Sequence, residues 1–97
     1  MTLKERITED MKSAMRSGQK ERLATIRMAL AAIKQREVDE RVMLDDSQIL
    51  AVLEKMIKQR REAIAQFQSG GRADLVAKES AEITVLEAYL PAQMGPA

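Results

Sequence analysis

Apolar residues return every three or four positions along almost the whole chain, and the pattern pauses only at Gly18, around Val38 to Leu44, at Ser69–Gly71 and at Pro91. That period is helical, and no stretch shows the alternation of a strand. The interior pauses mark out four helices, expected at about residues 2–17, 20–38, 46–69 and 72–90. Each is apolar on one side only and must bury that side against its neighbours. Short breaks at Gly18 and Ser69–Gly71 make sequential helices antiparallel neighbours. The expected fold is all-α, an antiparallel bundle of four helices with short connections, with residues 1–97 as a single helical domain. The second and third helices, each about 20 residues and so about 30 Å long, are expected to form the central hairpin.

Local signals support these boundaries. Thr2 with Glu5 reads as a capping box, followed by the stripe Leu3, Ile7, Met11 and Ala14 or Met15. Gly18 can close the first helix in the left-handed conformation. The second helix carries Leu23, Ile26, Leu30 and Ile33, with alanines beside them, and Asp39, Glu40 and Arg41 read as a frayed end or connection. Either Asp45 or Asp46 can cap the third helix, whose stripe runs from Ile49 through Leu53, Met56, Ile57 and Ile64 to Phe67. Leu75, Ile83, Leu86 and Leu90 mark the fourth, stopped by Pro91 because a residue before proline is pushed out of the helical region.

Composition removes much chemistry. The chain has no cysteine and no histidine, so disulfides, thiolate or serine–histidine nucleophiles and the usual zinc ligands are excluded. Gly70-Gly71 lacks the spacing of a phosphate-binding loop. No metal and no cofactor is expected. Glu79 and Glu82, three apart, can form an acid–base pair, but helical carboxylates at such spacing more often form structural ion pairs. Asp45 and Asp46 can bind a metal, but capping explains them fully. The seven methionines fall mostly on or beside apolar stripes and read as core filling rather than an adaptable binding surface. The N-terminal Met1–Arg6 has no apolar run behind it, and no stretch approaches the roughly 18 apolar residues needed to span a bilayer. The expectation is a cytoplasmic protein with no membrane contact.

The formal net charge is +1, so electrostatic function depends on how charge is distributed. Lys20, Arg27, Lys34 and Arg41 are spaced by seven along the second helix and share one slowly turning face. Lys55, Lys58, Arg60 and Arg61 cluster on the third. If those helices are antiparallel neighbours, the two sets form one ridge able to contact nucleic-acid phosphates. Against this, Glu54, Lys58 and Glu62 can pair along their own helix, and Glu21, Glu37, Asp39 and Glu40 dilute the second. Phe67 and Tyr89 are the only aromatic residues, which disfavours sequence-specific reading of single strands.

The stretch from Thr25 to Lys34, then Glu37, resembles the YqeY family, as do Leu44-Asp45-Asp46, Lys55 to Glu62, Gly71-Arg72-x-Asp74-Leu75 and Glu82 to Tyr89-Leu90-Pro91. Order and spacing match over about residues 2 to 94. Proteins of this family look like the C-terminal part of GatB, a component of the glutamine-dependent aminoacyl-tRNA amidotransferase. The resemblance thus implies a helical region associated with tRNA. It also attaches a carbon–nitrogen ligase label, with glutamine as amide donor, but nothing of that catalytic machinery is visible here and the activity is not carried over. The expectation is a non-catalytic tRNA-binding or accessory domain, the alternative a module docking on a translation or amidotransferase protein. The family pattern continues beyond the Tyr-Leu-Pro segment into a small tail domain. This sequence runs only to Met94–Ala97, so a fragment or a short form is expected.

Overall fold

All four helices form: α1 spans Leu3–Arg16, α2 Lys20–Glu40, α3 Asp46–Ser69 and α4 Ala73–Glu87. The computed structural model describes residues 1–91, and among them there is no strand. The termini of α1 and α3 follow from their capping side chains. Thr2 Oγ1 accepts from the Glu5 N–H at 3.1 Å, and the Glu5 carboxylate accepts from the Thr2 N–H at 2.8 Å. Asp45 and Gln48 make the same reciprocal pair at 2.8 and 2.9 Å. Asp46 is the third helix's first residue and caps something else: its carboxylate accepts from the Leu3 N–H at 3.0 Å, closing the start of α1. By contrast, α2 and α4 start with no side-chain cap.

Two boundaries differ from expectation. Asp39 and Glu40 are helical rather than frayed, and α2 ends at Arg41, which takes the left-handed conformation with φ +56°. Its N–H and that of Val42 both reach the Glu37 carbonyl. A β-carbon in this region costs about 1–2 kcal/mol, and nothing in the sequence pattern announces that an arginine takes it. At the other end, α4 stops at Glu87 rather than Leu90, and Tyr89 and Leu90 close tight turns onto the Leu86 and Glu87 carbonyls.

The pairing of helices also corrects the expected central hairpin. α3 packs most extensively on α4, and α1 on α2, whereas the long helices α2 and α3 meet over a shorter stretch. Tight connections at Ser17–Gln19 and Gly70–Arg72 hold each hairpin closed, while the longer Arg41–Asp45 segment lets α2 and α3 diverge. Ile7, Ile26, Leu53 and Leu86, one from each helix, are fully buried and knit the hairpins together. Each contributes about 1.5–3 kcal/mol by leaving water. Met56 joins this core, but Met15, Met28 and Met43 are exposed, so core filling accounts for only some of the methionines.

The bundle has two unlike ends. Leu3 on Asp46, Lys4 on Glu37 and Arg6 on the Ala88 carbonyl bring together the starts of α1 and α3 and the ends of α2 and α4. This is the Leu44 end, named for the loop residue that plugs it. The opposite, Gly18 end holds the turns at Gly18 (φ +70°) and Gly71 (φ +71°), both left-handed glycines.

Candidate nucleic-acid interface

An α-helix turns about 100° per residue, which puts Lys20, Arg27 and Lys34 on one side of α2, with Ala24, Ala31 and Val38 beside them, while Arg41 lies just past the helix end in the left-handed conformation. The four cations, Ala24, Ala31 and Val38 are all exposed. No carboxylate interrupts the strip, and the alanines leave the helix backbone open to close approach. From Lys20 to Arg27 to Lys34 the rise is about 10.5 Å per step along the axis. Among the described residues, no ion pair engages any of the four cations. The Arg27 guanidinium rests 3.4 Å from the Met15 sulfur on α1.

The α3 cations behave differently. Lys55 and Lys58 are exposed and make no ion pair among the described residues, but Arg61 is paired with Glu87 at 2.8 Å. Arg60 points inward. Its side chain is 14% exposed; Nε donates to Glu82 Oε1 at 2.9 Å and Nη1 to the Met56 carbonyl at 3.2 Å. Arg60 is therefore an internal brace between α3 and α4, not a phosphate contact. The signal was present in the sequence: Arg60 sits in register with Met56, Ile57 and Ile64, at core spacing, where a charge must be paired.

The two basic sets do not form one ridge. Lys55 lies over a groove lined on α2 by Ala32, Gln35, Arg36 and Asp39, and these are turned away from the basic strip, with Arg36 about 200° around the helix from Lys34. The α2 strip instead borders α1. Sequence reasoning also missed Arg16, Arg72 and Lys78, which join Lys20 around the Gly18 end. Arg72 faces Asp74 at 3.1 Å, while Arg16 and Lys78 have no ion pair among the described residues. Cations flanking a glycine turn were the available clue.

Glu82 is taken by Arg60, which fits the structural reading of the Glu79/Glu82 pair rather than acid–base chemistry. Among the described residues no three metal-ligating side chains gather closely enough to hold an ion, and no helix is long and apolar enough to cross a membrane. The carboxylates with clear shifts all serve local structure. Glu37 is held below its usual pKa by the Lys4 ammonium first and then by the Leu44 N–H. Glu5 is lowered by its two bonds from Thr2, and Asp74 chiefly by Arg72. Burial first, then the Asp10 carboxylate, push the Tyr89 hydroxyl up.

A family model described as Yqey-like protein matches residues 4–97. The chain belongs to the YqeY-like family. Similar proteins include "Altered inheritance of mitochondria protein 41, mitochondrial" of Eremothecium gossypii, 39% identical over 89% of this chain and 48% of that protein. The protein of the same name in Kluyveromyces lactis is 40% identical over 86% of this chain and 45% of its own. An uncharacterised protein of Schizosaccharomyces pombe is 34% identical over 88% and 69%. The chain spans about half the length of the first two. Their names call these relatives mitochondrial, which overturns the cytoplasmic placement expected from the N-terminal residues.

In this YqeY-like chain, the stretches that carry the resemblance are largely structural. Thr25 is buried and its hydroxyl donates to the Glu21 carbonyl at 3.2 Å. Glu37 accepts from Lys4 and from the Leu44 N–H, fixing the α2–α3 loop to α1. Tyr89 is buried; its hydroxyl donates to Asp10 Oδ2 at 2.6 Å, and the Arg6 guanidinium lies 4.9 Å from its ring centre, a favourable cation–π distance. Arg22 stands 3.9 Å from the same Asp10. The stretch from Ala92 to Ala97, where the family pattern would lead into a tail, lies outside the described residues.

Proposed function

We propose that this YqeY-like chain is a non-catalytic RNA-binding accessory domain, with tRNA the favoured class because of the resemblance to the C-terminal part of GatB. The observation that carries the reading is the exposed series Lys20, Arg27 and Lys34 on one face of α2 with Arg41 just past its end, four cations without carboxylate partners among the described residues. Unpaired surface cations have no internal work to do, and phosphates are the ligand they suit best. Arg16 and Lys78 extend the positive surface at the Gly18 end. Lys55 and Lys58 belong to a separate face and make a secondary contribution, and Arg60 and Arg61 none. Phosphate contacts position a nucleic acid without reading its bases, so affinity falls steeply with salt. The mitochondrial setting of the named relatives is the compartment this reading carries.

The test is binding of labelled bulk tRNA across a salt series. Lys20→Glu/Arg27→Glu/Lys34→Glu is expected to abolish binding while leaving the melting curve unchanged, and Lys55→Glu/Lys58→Glu to weaken it modestly. Equal loss from both variants would mean that no single face is responsible. No binding at low salt would end the RNA reading.

A further inference from the structure

Beyond RNA, the Leu44 end carries a feature that the bundle's own packing leaves without a use. After Arg41 reverses the chain, Val42 is 44% and Met43 77% exposed, and Val38, one helical turn back, is 62% exposed. Leu44 alone of this loop turns inward to plug the core. The helix end leaves much of the Val38 and Val42 side chains in water, and Met43 touches solvent on nearly every side. Adjacent exposed apolar residues of this size mark a binding surface more often than isolated ones do.

The charge around the patch narrows what can cover it. Asp39, Glu40, Asp45 and Asp46 flank it in sequence, and all are exposed. Their hydrogen bonds are to neutral groups or to neighbours on their own helix: Asp39 accepts from Gln35, Glu40 from Arg36, Asp45 from the Gln48 N–H and Asp46 from the Leu3 N–H. Among the described residues, three of the four therefore keep their negative charge unmatched by a cation partner. With Arg41 the one exposed cation between them, these carboxylates leave the tip acidic on balance, and it suits an occupant with apolar side chains on one face and cations at its edges.

We infer that the Val38–Val42–Met43 tip with its carboxylate ring docks a basic amphipathic helix of a partner protein. Such a helix lays its apolar stripe against the three side chains and places Lys or Arg near Asp39 and Asp45, a helix-on-surface mode read at every third or fourth residue. Complementary charge fixes orientation and speeds encounter, while the apolar contacts hold the complex. The site shares Val38 with the basic strip and adjoins Arg41, but the RNA test changes only Lys20, Arg27 and Lys34, so either reading can fail without the other.

The probe is a fluorescein-labelled 18-residue Leu/Lys amphipathic helix, titrated with the whole chain by anisotropy, and amide shifts are followed in parallel. Binding is expected with shifts centred on residues 37–46. Val42→Ser/Met43→Ser should weaken it at least about tenfold, as loss of most of the apolar contact requires. Asp39→Lys/Asp45→Asn should weaken it several-fold, and a Ser/Lys peptide of equal charge should bind far less well. Thermal melting checks that each variant folds, and Val42→Ser/Met43→Ser alone suffices if Asp45→Asn loosens α3. The inference is overturned by equal affinity for the Ser/Lys peptide, by indifference to Val42→Ser/Met43→Ser, or by no binding. It is equally overturned by shifts centred instead on the α2–α4 groove at Ala24, Ala77 and Ala81, or by concentration-dependent dimerisation of the free chain through this tip.

Discussion

The two ends of the bundle are built from similar helices and stabilised in opposite ways. At the Leu44 end, side chains cross between elements: Asp46 to Leu3, Glu37 to Lys4 and Leu44, Arg6 to Ala88, and Tyr89 to Asp10. At the Gly18 end the chain turns on two left-handed glycines, the helices that begin there have no side-chain caps, and Arg16, Lys20 and Lys78 have no ion pair among the described residues. A charge bonded within the fold has little left for a ligand. The stitched end therefore ties Lys4, Arg6 and Glu37 into its architecture and leaves mainly carboxylates over, and the open end keeps its cations available. Bulk composition hides this, because the whole chain is nearly neutral.

The largest expected effect tests the basic strip that starts at the open end and runs along α2. In Lys20→Glu/Arg27→Glu/Lys34→Glu, tRNA affinity should fall at least about 100-fold, and the slope of log affinity against log salt should drop by about three. A matching loss from charge reversal at the Leu44 end would erase the distinction. Next comes the stitching. Tyr89→Phe removes the bond to Asp10 and should cost about 1–2 kcal/mol in urea unfolding, with RNA binding unchanged. If stability does not move, the Tyr89 clamp is ornamental.

Smaller effects compare the two kinds of turn. Gly18→Ala places a β-carbon at φ +70° with open space around it, so only backbone strain opposes it, at about 1 kcal/mol. Arg41→Gly relieves the same strain at the other end and should stabilise by about 0.5–1 kcal/mol. Opposite signs in thermal melts would confirm that the arginine is held there against its own preference. The smallest effect is with acid. Glu37 and Glu5 have folded pKa values below their unfolded ones. The stability they supply is present above the ordinary carboxylate range and is lost as pH falls through their lowered values. Hydrogen exchange below pH 4 should therefore open the Leu44 end before the Gly18 end.

Much of the fold was legible because its signals are local. The Thr2–Glu5 box, the Gly18 stop and the four stripes each depend on a few neighbouring residues, and each appears where the pattern puts it. What failed needed three dimensions. Asp45 and Asp46 are adjacent and alike, yet they cap different helices because α1 happens to begin beside α3. The expected α2–α3 ridge failed because helix rotation is set by packing: spacing by seven fixes which residues share a face, not which neighbour that face meets. Arg60 was a different kind of miss. Its place on the apolar stripe was visible, and so was that of Glu82, but their pairing joins residues 22 apart across two helices.

The clamp between Tyr89 and Asp10 also has a consequence for how the protein is made. The partners are 79 residues apart, and the N-terminal hairpin can fold while later residues are still inside the ribosome. The C-terminal lock cannot. Until Tyr89 emerges, Asp10 lacks its hydroxyl partner and Arg6 the ring it packs against. Synthesis from the N-terminus thus produces a half-closed bundle first, and a nascent chain halted just short of Tyr89 should remain open to proteolysis in α1, closing only when the last turn is released.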